Sequence, residues 1–473
     1  MTEYDAVVVG SGPNGLTAAV ELAAAGRSVH LIEGADRLGG ACSTADDVLS
    51  GALVDLGSAV HPFGAASPAF RAHRLDEHGL RWLQPDVLVA HPLDGADAGR
   101  LHHDRDRTLA ALGPDADRWW QLHSVVAEHW DELADVVMGS PLRPPRHPLV
   151  AARFGAPGVL PASLTQRAFR TPQARALAAG AAAHSVLPLT APLTTAFVLL
   201  FGGLAHVGGW PLPAGGAQSV TDALADRLRS FGGTIETGRP IAHVDELPRS
   251  RAALLDLAPW NAATVLAGRL PAGVERRLRT IPTGPGIHKV DWLLDGPVPW
   301  TDPACRDAGT VHLGGTFDEV AHAEGEVIAG RMPERPFVLV AQPSVVDPSR
   351  APAGRHVVWA YCHVPAGHAR DETAAIERQI ERFAPGFRER VLERAVWDAD
   401  RLERWNPNLR GGSITNGTHV GLGLLRRPRI SLDPYRLPAD GVYLCSAATP
   451  PGGGVHGMSG FHAARSALRR ELA

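Results

Sequence analysis

The stretch DAVVVGSGPNGLTAAVELAAAG, residues 5–26, constrains this chain more than any other. Its opening β-branched run lacks polar alternation and reads as a strand buried on both faces, the setting of a central parallel strand. Gly10, Gly12 and Gly15 follow at once, with Pro13 and Asn14 between them, and LTAAVELAAA continues at helical spacing until Gly26 closes it. SVHLIE then gives a second strand ending on Glu33, 23 residues after Gly10. A glycine triplet alone is weak evidence. Strand, tight turn, helix, strand and terminal acid in this order form the fingerprint of a βαβ dinucleotide-binding unit. Gly10 permits the turn, Gly12 lets a pyrophosphate approach backbone amides, and Gly15 lets helix and strand pack closely. Glu33, followed by Gly34, is placed for a ribose hydroxyl.

The next residues bear on which dinucleotide. ADRLGGACST (35–44) brings Arg37 and the Gly39–Gly40 doublet, and ALVDLGSAVHPF (52–63) follows. This resembles the extended FAD fingerprint of the flavin amine oxidase and phytoene desaturase superfamily, in which the strand-ending Glu is followed by Arg-x-Gly-Gly. The resemblance implies that Arg37, Gly39 and Gly40 approach the pyrophosphate and isoalloxazine, and it favours FAD over NAD(P). At the other end, TPPGGGVHGMSGFHAA (449–464) repeats the Gly-x-Gly-x-x-Gly pattern through Gly452, Gly454 and Gly457. Here a Ser/Thr/Pro loop separates the glycines from the preceding strand at 441–445, and no second βαβ unit or ribose acid follows. The segment resembles the superfamily's C-terminal FAD motif. By that resemblance Ser446, Ala447, Gly453, Gly454, Val455, His456 and Met458 face the flavin's pyrimidine edge, where a helix N-terminus stabilises negative charge. Both ends then serve one FAD.

Between them, residues 208–241 read as a helix with Val220, Leu224 and Leu228 on one face, followed by the strand TIET. This looks like the second FAD-domain segment of phytoene desaturase-like proteins, which makes Val244 the positional candidate for an adenine contact. Relatives carry a small β-hairpin after that strand, whereas this sequence runs almost directly to ALLDLAP (253–259). The stretches 76–207 and 262–404 mix helical and strand patterns without dinucleotide features. The expected architecture is α/β: a discontinuous Rossmann-type FAD-binding domain from 1–75, 208–261 and 405–473, with an interleaved α+β substrate domain from 76–207 and 262–404. The Pro/Arg-rich stretch 140–158 reads as a surface loop. The apolar stretch 192–210, broken by Gly and Pro, reads as buried core or pocket wall, with a membrane-dipping surface as the alternative.

Composition narrows the chemistry. A net charge of −4 gives no broad attraction to nucleic acid, and short basic runs such as 425–429 read as solvated faces. Cys42, Cys305, Cys362 and Cys445 form no Cys-x-x-Cys pair, so neither a metal site nor a dithiol centre is expected. Among 46 basic residues there is one lysine, Lys289, in the strand-like GIHKVDWLLDG. Its context resembles the flavin amine oxidase strand that brings a lysine, through a water, towards flavin N5; the alternative is a lysine at a domain surface. Lys289 and His61, beside the Gly57 turn, are the candidate catalytic side chains. With no nucleophile elbow and no carboxylate dyad, the chemistry falls to the cofactor.

The chain as a whole resembles the phytoene dehydrogenase-like FAD oxidoreductases, including the branch called pyridine nucleotide-disulfide oxidoreductase domain-containing protein 2. The resemblance implies hydride transfer to flavin N5 from an apolar, isoprenoid- or carotenoid-like substrate, with oxygen, a quinone or another acceptor reoxidising the flavin. The alternatives are a flavin amine or amino-acid oxidase, and a non-enzymatic prenyl-protein binding module of the GDP-dissociation-inhibitor type. A cytoplasmic location with room for peripheral membrane contact completes these expectations, and the oligomeric state is left open.

Overall fold

The N-terminal run forms β1 (Tyr4–Val9), the glycine turn leads into α1 (Pro13–Ala24), and β2 (Val29–Ile32) follows, so the unit read from the sequence is present in full. The computed structural model describes residues 3–417, 423 and 427–473. β1 is the middle strand of a five-stranded parallel sheet ordered Val442–Leu444, Ser250–Leu255, β1, β2, Thr234–Glu236. The chain leaves β1 for β2 on one side and is joined by Ser250–Leu255 on the other. The switch point of the sheet, where a binding crevice opens, therefore lies at the carboxyl ends of those two strands. Residues 237–249 cross between strands with a single 3-10 turn, Val244–Glu246, and no hairpin forms there.

A second sheet of seven strands runs Val391–Trp397, Gly286–Leu294, His356–Val364, Val338–Ala341, Ala308–Leu313, Val87–Leu93, Ala96–Leu101. Every residue of Gly286–Leu294 is buried, because helices cover one face and the parts near the dinucleotide unit cover the other. The apolar stretch at 192–210 becomes the helix Thr194–Leu204, packed among Ala-rich Pro172–Ala183 and Trp119. It is core. Among the described residues no helix is long and apolar enough to cross a membrane.

The hairpin of Thr44–Leu49 and Ala52–Asp55 is fastened to the second sheet by apolar contact and to the turn Pro348–Arg350 by charge. Asp55 and Arg350 are both fully buried and pair at 2.8 Å. Asp55 also accepts from the Thr44 hydroxyl at 2.7 Å and the Ala217 amide at 2.8 Å, while Arg350 donates to the Leu53 carbonyl. These bonds hold both Asp55 oxygens and the Arg350 Nε and Nη2, and Nη1 is buried without a partner. The four cysteines are free and buried.

Three expectations are corrected. Part of the Pro/Arg-rich stretch is the helix Pro148–Gly158, with Pro148 in its first turn, where its missing amide hydrogen costs nothing, and Phe154 buried. Residues 262–279, assigned to the substrate part, pack instead on the parallel sheet: Ala262, Ala263, Leu266, Leu270 and Leu278 bury against Val7, Val9 and Leu255. Within the basic run 425–429, residues 425 and 426 lie outside the described residues. Arg427 is buried rather than solvated, donating to the Thr415 and Gly417 carbonyls at 2.8 and 2.9 Å.

α1 meets the final helix, Met458–Leu468, at backbone contact. A Cβ at Gly460 would stand 1.8 Å from the Asn14 carbonyl oxygen, and one at Gly457 would stand 2.2 Å from Thr17 Oγ1. Gly460→Ala is expected to lower stability by about 1–3 kcal/mol through forced separation of the helices, read as a lower urea midpoint at unchanged slope.

Candidate functional site

Gly10 turns the chain with φ +97°, and a Cβ there would lie 2.9 Å from the Asp256 carbonyl oxygen. A Cβ at Gly15 would lie 2.1 Å from the Gly10 carbonyl oxygen, so the helix–strand approach admits no side chain. Gly12 is the N-cap of α1 and offers no side-chain cap, which leaves the first amides of the helix for something else to satisfy. Glu33, at the end of β2, accepts from the Ser11 amide (2.7 Å), the Ser11 hydroxyl (2.6 Å) and the Ala35 amide (2.9 Å). Gly34 passes beside Pro240. Gly39 donates to Ser11 Oγ at 3.1 Å, and Gly40 has its Cβ position 3.7 Å from the Gly12 Cα. The second glycine doublet thus folds onto the first turn.

The C-terminal glycines arrive from the other side. Ser67 Oγ donates to the His456 carbonyl at 2.6 Å, and a Cβ at Gly64 would meet the Val455 carbonyl at 2.9 Å. His456 Nδ1 accepts from the Met458 amide at 3.0 Å, at the start of the final helix, whose Gly457 N-cap also has no side-chain cap. Ser446 shapes the approach, accepting from the amides of Ala448 and Thr449, with Ala447 between. Gly453 and Gly454 are exposed, Gly454 at φ +137°. Gly460 lies against the backbone of Asn14, so the two glycine segments bound one groove.

Phe63 links that groove to the aromatic helix Thr194–Leu204. Its ring is 6.4 Å from His456 and 5.3 Å from Phe201 on the helix Thr194–Leu204. Beyond it stand Phe197, Trp210 and His184, whose ring is 4.4 Å from Phe201. His184 and His312 approach at 3.2 Å through their Nε2 atoms. Burial pushes His184 down to about 3 and His312 well below its ordinary range, so this wall is uncharged at neutral pH. His61 contacts Ser58 Oγ through Nε2 at 3.0 Å, and burial pushes it down to about 4, as it does His456. His61 is therefore a neutral hydrogen-bonding group at neutral pH rather than a charged one.

Three sequence candidates take positions of a different kind. Lys289 is fully buried, not at a surface; its ammonium pairs with Asp291 at 2.5 Å and lies 5.6 and 5.4 Å from the ring centroids of Trp359 and Trp397. Burial pushes Lys289 down and Asp291 up, and their mutual attraction opposes both shifts. Trp359 and Trp397 pack with Leu56, Ala59 and Val60, so the pair sits behind the segment that carries His61. Arg37 is exposed, donates to the Thr44 carbonyl at 2.8 Å, and lines a surface pocket with Gln218 and Asp222. Val244 lies on a 3-10 turn and packs on the apolar face of the parallel sheet, not on a strand.

The groove fits a dinucleotide in its glycine cradle and the buried, unpartnered Asn14 Oδ1, an orphan that a ligand there would relieve. One residue that the sequence reading passed over also occupies it. Asp256 closes the strand Ser250–Leu255, and its Oδ2 accepts from the Gly15 amide at 2.8 Å. The same oxygen stands 2.5 Å from the Cβ position of Gly12. The signal was available in ALLDLAP: an acid ending an apolar strand parallel to β1 falls at the switch point.

Residues 8–75 match the family model described as an NAD(P)-binding Rossmann-like domain. The chain is 27% identical over 552 aligned positions to pyridine nucleotide-disulfide oxidoreductase domain-containing protein 2 of Rattus norvegicus, covering 99% of this chain and 94% of that relative. It is 26% identical over 414 aligned positions to phytoene dehydrogenase of Streptomyces griseus, covering 82% and 77%. Cyclohexylamine oxidase from Brevibacterium oxydans IH-35A shares the fold, with a TM-score of 0.60 over 99% of each chain at 16% identity. The similarity thus extends over 99% of the chain to the rat relative and over 82% to phytoene dehydrogenase, on the fold seen in cyclohexylamine oxidase. The word "disulfide" in the rat relative's name has no counterpart in the four unpaired cysteines here.

Removing one partner of the Lys289–Asp291 pair strands a buried charge. Asp291→Asn is expected to cost about 3–5 kcal/mol, and Lys289→Met with Asp291→Leu to recover most of it, both read from urea unfolding. His61 and His456 bind protons less readily folded than unfolded. Stability should fall as pH drops from about 6.5 to about 4, by up to about 1.4 kcal/mol per pH unit for each, measured as the unfolding midpoint across that window.

Proposed function

We propose that this chain is an FAD-dependent dehydrogenase or desaturase that acts on a small apolar, isoprenoid-like carbon skeleton. The observation that carries the reading is the continuity of the Phe63–Phe201–Trp210 wall with the groove bounded by both glycine segments. The similarity to phytoene dehydrogenase points to the same substrate class. The histidines on that wall are uncharged at neutral pH, in keeping with an apolar substrate.

In this reading FAD supplies the two-electron acceptor, and oxygen or a quinone takes those electrons onward. The amides at the start of α1 hold the pyrophosphate, and Glu33 exchanges its bonds to Ser11 for ribose hydroxyls. The Gly39–Gly40 turn keeps the backbone close beside Gly12. The N-terminus of Met458–Leu468, whose first amide is held by His456 Nδ1, would place partial positive charge at the far end of the groove. Phe63, Phe197 and Phe201 orient the substrate and exclude water. His61 donates or accepts one hydrogen bond as a neutral imidazole, and the Lys289–Asp291 pair, behind Trp359 and Trp397, sets the field there without touching substrate.

The test is anaerobic mixing of FAD-loaded protein with isoprenoid alcohols or hydrocarbons and, separately, with primary amines, following loss of visible flavin absorption. Bleaching by the apolar compounds alone is expected. Phe201→Ala should then raise the substrate concentration needed by about tenfold or more at unchanged flavin content. Bleaching by amines alone overturns the substrate class, and protein that takes up no FAD overturns the reading as a whole.

A further inference from the structure

Asp256 lies where the phosphates of a bound dinucleotide would approach. Its Oδ2 holds the Gly15 amide at 2.8 Å and stands 2.5 Å from the position a Gly12 Cβ would take. The absent side chain of Gly12, which in this type of turn makes room for a pyrophosphate, here makes room for a carboxylate. The residue is deep but partly open to the groove.

The groups facing Asp256 offer no cation. From α1 come the amides of the first turn, from β2 the Glu33 carboxylate, and from the strand Val442–Leu444 the Cys445 thiol just beyond it. A pyrophosphate seated on the same turn would add further negative charge within a few ångströms of two carboxylates. At such separations a like-charge pair opposes binding by roughly a thousandfold in a medium of intermediate polarity.

We propose that Asp256 sets the affinity of this groove for its dinucleotide: as a carboxylate it occupies a phosphate seat on the Gly12–Gly15 turn, and a dinucleotide enters as Asp256 takes up one proton from solvent. Protonated, the carboxyl becomes a hydrogen-bond donor and can give its O–H to a phosphate oxygen, turning a repulsive neighbour into a ligand contact. Burial has already pushed Asp256 up to about 7, with Glu33 adding to the shift and the Gly15 amide opposing it, so the proton is available near neutrality. Because the folded free form holds the proton only below that point, affinity is level on the acid side and falls as pH rises beyond it. The inference rests on the reading of the Gly10–Gly15 turn as a dinucleotide seat.

The experiment is titration of FAD into the full-length protein from about pH 6 to about pH 9, following quenching of flavin fluorescence, with calorimetry in buffers of different ionisation enthalpy to count protons. For the natural protein the dissociation constant should be level up to about pH 7 and then rise about tenfold per pH unit, with uptake of close to one proton at the alkaline end. Asp256→Asn keeps an acceptor for the Gly15 amide and should bind FAD at least about tenfold more tightly at about pH 8.5, with a flat profile. Asp256→Ala should behave likewise and guards against an effect peculiar to the amide. FAD binding by all three proteins with one flat profile and no proton uptake overturns the role of Asp256 and leaves the dinucleotide seat standing. Absence of FAD binding by all three at every pH overturns the seat, and this inference with it. Proton uptake by the natural protein needs no variant, so a folding defect in either substitution does not blunt the test.

Discussion

The contact between α1 and the final helix decides that a chain with glycine-rich turns at both ends has one groove rather than two. At Gly460 the helices touch main chain to main chain, and at Gly457 the turn lies on Thr17, so neither position accepts even a methyl group. That closeness draws the C-terminal loop over the first turn of α1 and brings the two helix starts to the same space. Everything placed around the groove depends on it. Phe63 reaches His456 only because the two segments have been brought together, and Phe63 in turn connects them to the aromatic helix Thr194–Leu204.

The second sheet is held to this body by a polar joint. Asp55 stands at the end of a hairpin leading into the His61 segment and meets Arg350 on the 3-10 turn Pro348–Arg350, ahead of the strand His356–Val364, and both are closed off from water. The amide of Gly215 adds a bond to Asp347 close by, so the chain segments 44–55, 215–217 and 347–350 are fixed together. Rigid registration of this kind matters for a site whose two walls come from different sheets, since a displacement of about 1 Å in such a site can cost about a hundredfold in rate.

Much of this was legible in the sequence wherever local pattern and tertiary role coincide. The buried run before Gly10, the helix after it and Glu33 all announce themselves within 29 residues, 5–33, because a parallel βαβ unit is built from neighbours in the chain. The alternating strand at 286–296 was readable too, and Lys289 within it was singled out. What could not be read was its partner: Asp291 lies two residues on, the same-face spacing of a strand, but only the indoles of Trp359 and Trp397 from neighbouring strands close the pair off. The helix Pro148–Gly158 was hidden by arginine and proline, although Pro148 sits where a helix tolerates it. Residues 262–279 changed sides because their small apolar side chains fit the parallel sheet, a matter of shape that spacing does not record. Asp256 escaped notice because an acid at a strand end is ordinary, and only the Gly12 and Gly15 backbones above it make it unusual.

The cysteines have a consequence of a different kind. All four lie beneath the surface, and burial pushes each thiol above its ordinary range, so none presents a thiolate at physiological pH. A protein that hands electrons to oxygen generates peroxide at its own surface, and thiolates are what peroxide consumes first. The four buried sulfurs of this chain are shielded from peroxide in the surroundings. Oxidation of any of them requires the surrounding core to open first.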